Sequence, residues 1–83
     1  MDVQSILKKY IVEEFMHELD PKILNGEYLL IENGVIDSMG LVRLVLFIEE
    51  KFGITIEEDE LDIENFGTLD AMTNFISKKV SSN

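Results

Sequence analysis

Asp37-Ser38-Met39-Gly40-Leu41-Val42-Arg43-Leu44-Val45-Leu46-Phe47-Ile48-Glu49-Glu50-Lys51-Phe52-Gly53 is the stretch whose reading decides the fold. At 100° per residue, Leu41, Leu44, Val45, Ile48 and Phe52 fall on one narrow stripe, as an amphipathic helix requires. Gly53 is placed to stop that helix, because glycine accepts the left-handed backbone that ends many helices. The spacing therefore predicts a helix over 38–52. Met39 and Leu46 project opposite the stripe, with Val42 at their flank and Arg43 and Glu50 on the same outer side. A chain of 83 residues cannot bury a helix on every side. Either the loop before the helix covers the excess, or an apolar patch with charged neighbours stays open as a partner site. The second reading is preferred, because the patch adjoins the one residue with chemical promise.

That residue is Ser38. Asp and Ser are both ordinary N-cap residues, and capping alone accounts for most such pairs. A helix start also favours anions, so a phosphodiester on the Ser38 hydroxyl would sit near free N–H groups and the positive end of the dipole. Nothing makes Ser38 a nucleophile by itself. The one histidine is His17, far off in the first helix, and no cysteine or lysine stands close in sequence.

Outward from this helix, Asp2 can cap a first helix with Val3, Ile6, Leu7, Tyr10 and Ile11 at helical spacing. Glu13, Glu14 and Glu18 are read as lying largely outside its stripe. The helix should stop before Asp20-Pro21, since the residue ahead of a proline disfavours helical backbone. A long connection over 20–37 follows, with one short turn begun by Pro21 and ended by Gly26. Tyr28, Leu29, Leu30 and Ile31 should tuck it over the core, and a loop of this length is often functional. Beyond Gly53 come an extended Ile54-Thr55-Ile56, an acidic run, and a short third helix with Leu61, Ile63 and Phe66 ending at Gly67. Thr68 caps a last helix with Leu69, Met72, Phe75, Ile76 and Val80 on one side, and the tail Ser81-Ser82-Asn83 should fray. The expected fold is all-α: a small four-helix bundle of three longer helices and one short one, with a long loop between helices one and two. Residues 1–83 are read as a single domain.

Composition narrows the function. Seventeen acids against seven bases give a net charge of −10, which repels nucleic acid and anionic lipid and favours basic protein surfaces. There is no cysteine, so any thioester chemistry needs an added thiol. No apolar run approaches the ~20 residues of a membrane span, and the first residues do not form a signal peptide, so the expected location is the cytoplasm. Glu57-Glu58-Asp59-Glu60-Leu61-Asp62 lacks the glycine that a calcium loop needs at its sixth position, and one histidine without cysteine makes a poor zinc site. No catalytic set and no metal site is assigned, and a monomer is expected.

Gly34-Val35-Ile36-Asp37-Ser38-Met39 resembles the phosphopantetheine attachment motif of acyl carrier proteins, where Asp-Ser-Leu or Asp-Ser-Met opens the second helix. The likeness continues through Leu44, Ile48 and Glu49-Glu50-Lys51-Phe52-Gly53-Ile54, and resumes at Phe66-Gly67-Thr68-Leu69. It spans roughly Ile6 to Ile76. The resemblance implies 4′-phosphopantetheine on Ser38, installed from coenzyme A by a Mg²⁺-dependent phosphopantetheinyl transferase, with Asp37 as the acidic residue before the serine. It also implies a non-catalytic carrier of acyl or aminoacyl thioesters, loaded by a ligase and passed to acyl-transfer enzymes with basic docking surfaces. Met39, Val42, Arg43, Leu46, Glu49 and Glu50 are the expected partner face. Gly40 and Arg43 depart from fatty-acid carriers, which often have acids there. Asp-Ser-Met-Gly is similar to free-standing aminoacyl carriers such as the D-alanyl type, although the tryptophan of that group is missing. An unmodified acidic adaptor, docking through the same helix with Ser38 only a cap, is the alternative.

Overall fold

A computed structural model describes residues 2–17 and 19–81. Among these residues four α-helices run in order: α1 (Val3–Phe15), α2 (Ser38–Phe52), α3 (Ile63–Phe66) and α4 (Leu69–Ser81). Two 3-10 turns, Pro21–Ile23 and Glu58–Glu60, interrupt the connections, and no strand occurs among the described residues. α1 and α3 both pack on α4. Leu7 and Ile11 of α1, Leu44 and Ile48 of α2, Phe66, and Leu69, Met72 and Ile76 of α4 form one core. Leu24, Leu30 and Ile36 of the long loop complete it, each about as buried as the helical residues.

Local chemistry accounts for most element ends. Asp2 caps α1 by accepting from the Ser5 amide, and its carboxylate also takes the Ser5 hydroxyl at 2.6 Å. Those bonds hold the Asp2 carboxyl below its usual value. Gly53 closes α2 at φ +67, its N–H donating to the Glu49 carbonyl. Thr68 Oγ1 accepts from the Ala71 amide at the start of α4. Asp20 opens the first 3-10 turn by accepting from the Lys22 amide, with Pro21 at its first position.

Four expectations need correction. α1 ends at Phe15 rather than running to Leu19. Positions 11 and 18 are seven apart, so a longer helix would bring a glutamate onto the Leu7–Ile11 stripe. Instead the chain leaves helical backbone at Met16, which goes into the core at 2% exposure. Glu18 itself lies outside the described residues, as do Ser82 and Asn83, while Ser81 ends α4. Gly26 does not end the proline turn, which closes on Leu24. Its carbonyl accepts from the Asp70 amide, and a Cβ there would run into the Asp70 carboxylate. Ile63 is 55% exposed, because α3 is a single turn and only Phe66 faces inward. Val80, near the end of α4, is likewise exposed.

The long loop is anchored by backbone as well as side chains. Leu30 donates its N–H to the Gly67 carbonyl at 2.9 Å, and its own carbonyl accepts from Val35 and Ile36. Gly34, at φ +77 with open space where a Cβ would stand, supplies the left-handed turn that folds the segment back toward α2. As expected, Tyr28 and Ile31 pack partly against the core, whereas Leu29 stays exposed.

Candidate functional site

The start of α2 settles which of two adjacent residues is the cap. Asp37 has extended backbone (φ −94, ψ −173), and its Oδ1 accepts from the Gly40 amide at 2.7 Å. Ser38 is already the first helical residue and is exposed. No hydrogen-bond partner occupies the Ser38 hydroxyl among the described residues. The amides of Ser38 and Met39 have no acceptor within the helix, so they face the space in front of it. A shallow hollow floored by Ile31, Ile36 and Leu41 adjoins Ser38. An exposed hydroxyl beside free N–H groups at the positive end of a helix suits a phosphodiester on that oxygen.

The outer side of α2 carries the apolar residues that the sequence set opposite the core. Met39 is 73% exposed, Leu46 60% and Val42 53%, while Leu44 and Ile48 are fully enclosed. Glu50 shares that side and is exposed. Arg43 does not stand free between them. Its Nη2 meets Glu14 Oε1 at 2.7 Å, and its guanidinium lies over the Phe15 ring at 5.2 Å. Glu49 differs from the expected exposed acid. It is half-buried, and its Oε2 accepts from the Ile56 amide at 2.8 Å, tying the segment after α2 back to the helix.

Three contributors were not read from the sequence. Glu14 and Phe15, at the end of α1, hold Arg43 from below. Glu14 is exposed but lies four residues after Tyr10, on the flank of α1 that meets α2; that spacing was the available signal. Phe47 stacks on Tyr10 with centroids 3.9 Å apart and planes 9° apart, closing the α1–α2 seam. Gly40 is the third. A Cβ there would stand 2.9 Å from Phe15 Cε1, so the ring would have to shift, and 3.2 Å from Asp37 Oδ1, a tight contact for the capping carboxylate.

Residues 30–76, more than half of the chain, match the family described as phosphopantetheine attachment site. The chain belongs to this family. A D-alanyl carrier protein of Streptococcus suis is 34% identical over 68 residues, covering 82% of each chain. An acyl carrier protein of Zymomonas mobilis is 30% identical over 77 residues, covering 93% of this chain and 94% of its own. The solved structure of KstB-PCP in its apo form superposes with a TM-score of 0.74 at 31% identity, over 94% of this chain and 86% of that one. The all-helical fold is thus that of a carrier, and the chain is a non-catalytic carrier whose cofactor is 4′-phosphopantetheine. Among the described residues no helix is long and apolar enough to cross a membrane.

Proposed function

We propose that Ser38 bears the 4′-phosphopantetheine, and that the chain delivers acyl or aminoacyl thioesters to enzymes docking on α2. The observation that carries this reading is the division of labour at residues 37 and 38. Asp37 does the capping, which leaves the Ser38 hydroxyl exposed and unengaged inside the matched segment. That same division counts against the adaptor alternative, in which Ser38 only caps.

In this reading a transferase with Mg²⁺ activates coenzyme A, and Ser38 Oγ attacks the pyrophosphate phosphorus. A phosphodiester forms, the hydroxyl proton is lost, and the nucleotide leaves as the 3′,5′-bisphosphate. The bound arm supplies the terminal thiol that this cysteine-free chain lacks. The amides of Ser38 and Met39 steady the phosphodiester charge, and Asp37 keeps the first turn intact. Met39, Val42 and Leu46 enter an apolar pocket of the partner, while Glu50 meets a basic residue. Glu49 is left out of this face, since its carboxylate holds Ile56. D-alanyl carriers among the relatives, with Gly40 and Arg43 where fatty-acid carriers often have acids, favour an aminoacyl cargo. We place the carrier in the cytoplasm as a monomeric single domain, where ligases and coenzyme A meet it.

Incubation with coenzyme A and a broad-specificity transferase tests the reading by intact mass. One phosphopantetheine should be added, and Ser38→Ala should abolish it while the fold survives. Addition at Ser5, Ser77, Ser81 or Ser82 would reject the assignment.

A further inference from the structure

Phe15 is the last residue of α1, and its ring lies under the first turn of α2. Gly40 makes room for it: any Cβ at position 40 would press on Phe15 Cε1 at 2.9 Å. The ring is fixed from two further sides. The Arg43 guanidinium covers it at 5.2 Å, held in turn by Glu14 at 2.7 Å, and Tyr10 meets it edge-on with centroids 6.0 Å apart. The position of a Cβ on Gly40 is also only 3.2 Å from Asp37 Oδ1, the atom that caps the turn. Ring, glycine and cap therefore meet at one point, two residues beyond Ser38. The rest of α2 does not depend on this point, because Leu44 and Ile48 anchor it in the core.

We propose that Phe15, seated against Gly40, is a positioning residue for Ser38: it fixes the turn from which the hydroxyl is presented to the incoming phosphorus. The proposal rests on Ser38 being the modified residue. A helix glycine is ordinarily unfavourable, and its loss of packing needs a reason at a buried position. Seating the ring supplies one. In-line attack on phosphorus needs the oxygen at a defined place, and small misplacement lowers turnover far more than binding. Docking, by contrast, runs through Met39, Val42 and Leu46, which are exposed and outside the Phe15 contacts named above.

The experiment follows phosphopantetheinylation by a broad-specificity transferase with coenzyme A, below the melting point of each variant. Phe15→Ala and Gly40→Ala should each lower kcat about tenfold with KM for the carrier changed by less than about twofold. Phe15→Leu, which keeps a large apolar side chain, should recover most of kcat. In Phe15→Ala the added methyl at position 40 no longer meets the ring and keeps only the 3.2 Å contact with Asp37 Oδ1, so the double variant should be little slower than Phe15→Ala alone. Unchanged kcat in both folded single variants would overturn the proposal, and so would losses that simply multiply in the double variant. A rise in KM alone would assign Phe15 to docking and overturn it too. If Phe15→Ala does not fold, Gly40→Ala carries the test, and an unchanged kcat in it overturns the proposal. Failure of the parent reading looks different: label would be absent, or would persist in Ser38→Ala.

Discussion

Asp37 and Ser38 are neighbours, and both side chains fit a helix cap; backbone geometry assigns the task. Because the Asp37 carboxylate takes the Gly40 amide at 2.7 Å, its removal leaves that amide without its side-chain acceptor. Asp37→Ala should cost about 1 kcal/mol, the usual value of a lost cap. Ser38→Ala removes no hydrogen bond among the described residues and should change stability by less than about 0.5 kcal/mol. Urea midpoints at constant slope check both numbers, and equal losses would mean that the two residues share the cap. The sequence alone could not make this distinction, since either residue satisfies the motif. It did single out Ser38, because a serine opening a helix in that hexapeptide is a local pattern. The bond that Glu49 makes was illegible for the opposite reason: its partner, Ile56 N, lies seven residues on, beyond the helix end, and only the fold brings them together.

α2 was legible as an element because both ends carry local signals, Asp37 and Gly53, and its stripe is narrow. Its two faces make a sharp comparison. Met39→Ala and Leu46→Ala remove side chains already 73% and 60% exposed, so each should change stability by less than about 0.5 kcal/mol. Leu44→Ala empties a fully enclosed site and should cost about 2–5 kcal/mol. Thermal or urea unfolding of the three variants decides it; large losses at 39 or 46 would put those residues in the core. α1 was less legible, because its end is set by the burial of Met16 rather than by the proline five residues on. The second 3-10 turn has its own device. Glu60 accepts from Lys79 at 2.7 Å and from the Glu57 amide at 2.8 Å, while Lys79 also reaches the Thr55 carbonyl. The Lys79 bond first, and the Glu57 amide second, hold the Glu60 carboxyl below its ordinary 4.5. A folded value below the unfolded one means the contribution is complete above pH 4.5 and is lost as pH falls through the folded value. Glu60→Gln should therefore lose less stability than the parent when urea midpoints are followed downward from about pH 6 to about pH 3. Parallel curves would remove Glu60 from the acid response.

At the scale of the molecule, a net charge of −10 is packed into a body with a radius of gyration of 11.8 Å. Two kinds of electrostatics then compete, and distance separates them. Attractive contacts are short: Arg43–Glu14 and Lys79–Glu60 both stand at 2.7 Å. Such pairs at or near the surface contribute about 0–1 kcal/mol each. Repulsion is spread across extents of 37 × 26 × 20 Å. The Debye length is about 10 Å at 0.1 M salt, so added NaCl cuts most of the repulsion while the close pairs lose less. Ten uncompensated charges acting together outweigh two surface pairs, and the sign of the salt effect follows. The melting temperature should rise with NaCl, most steeply below about 0.1 M, and level off once the screening length is shorter than the body. Arg43→Glu adds to the excess and breaks the Glu14 pair, so it should melt lower than the parent at low salt and approach it as salt rises. Calorimetry of both proteins across a salt series tests this. A parent curve that is flat or falls would mean that the acids are compensated locally, and a constant gap between the two curves would mean that position 43 acts through its packing on Phe15 and not through charge.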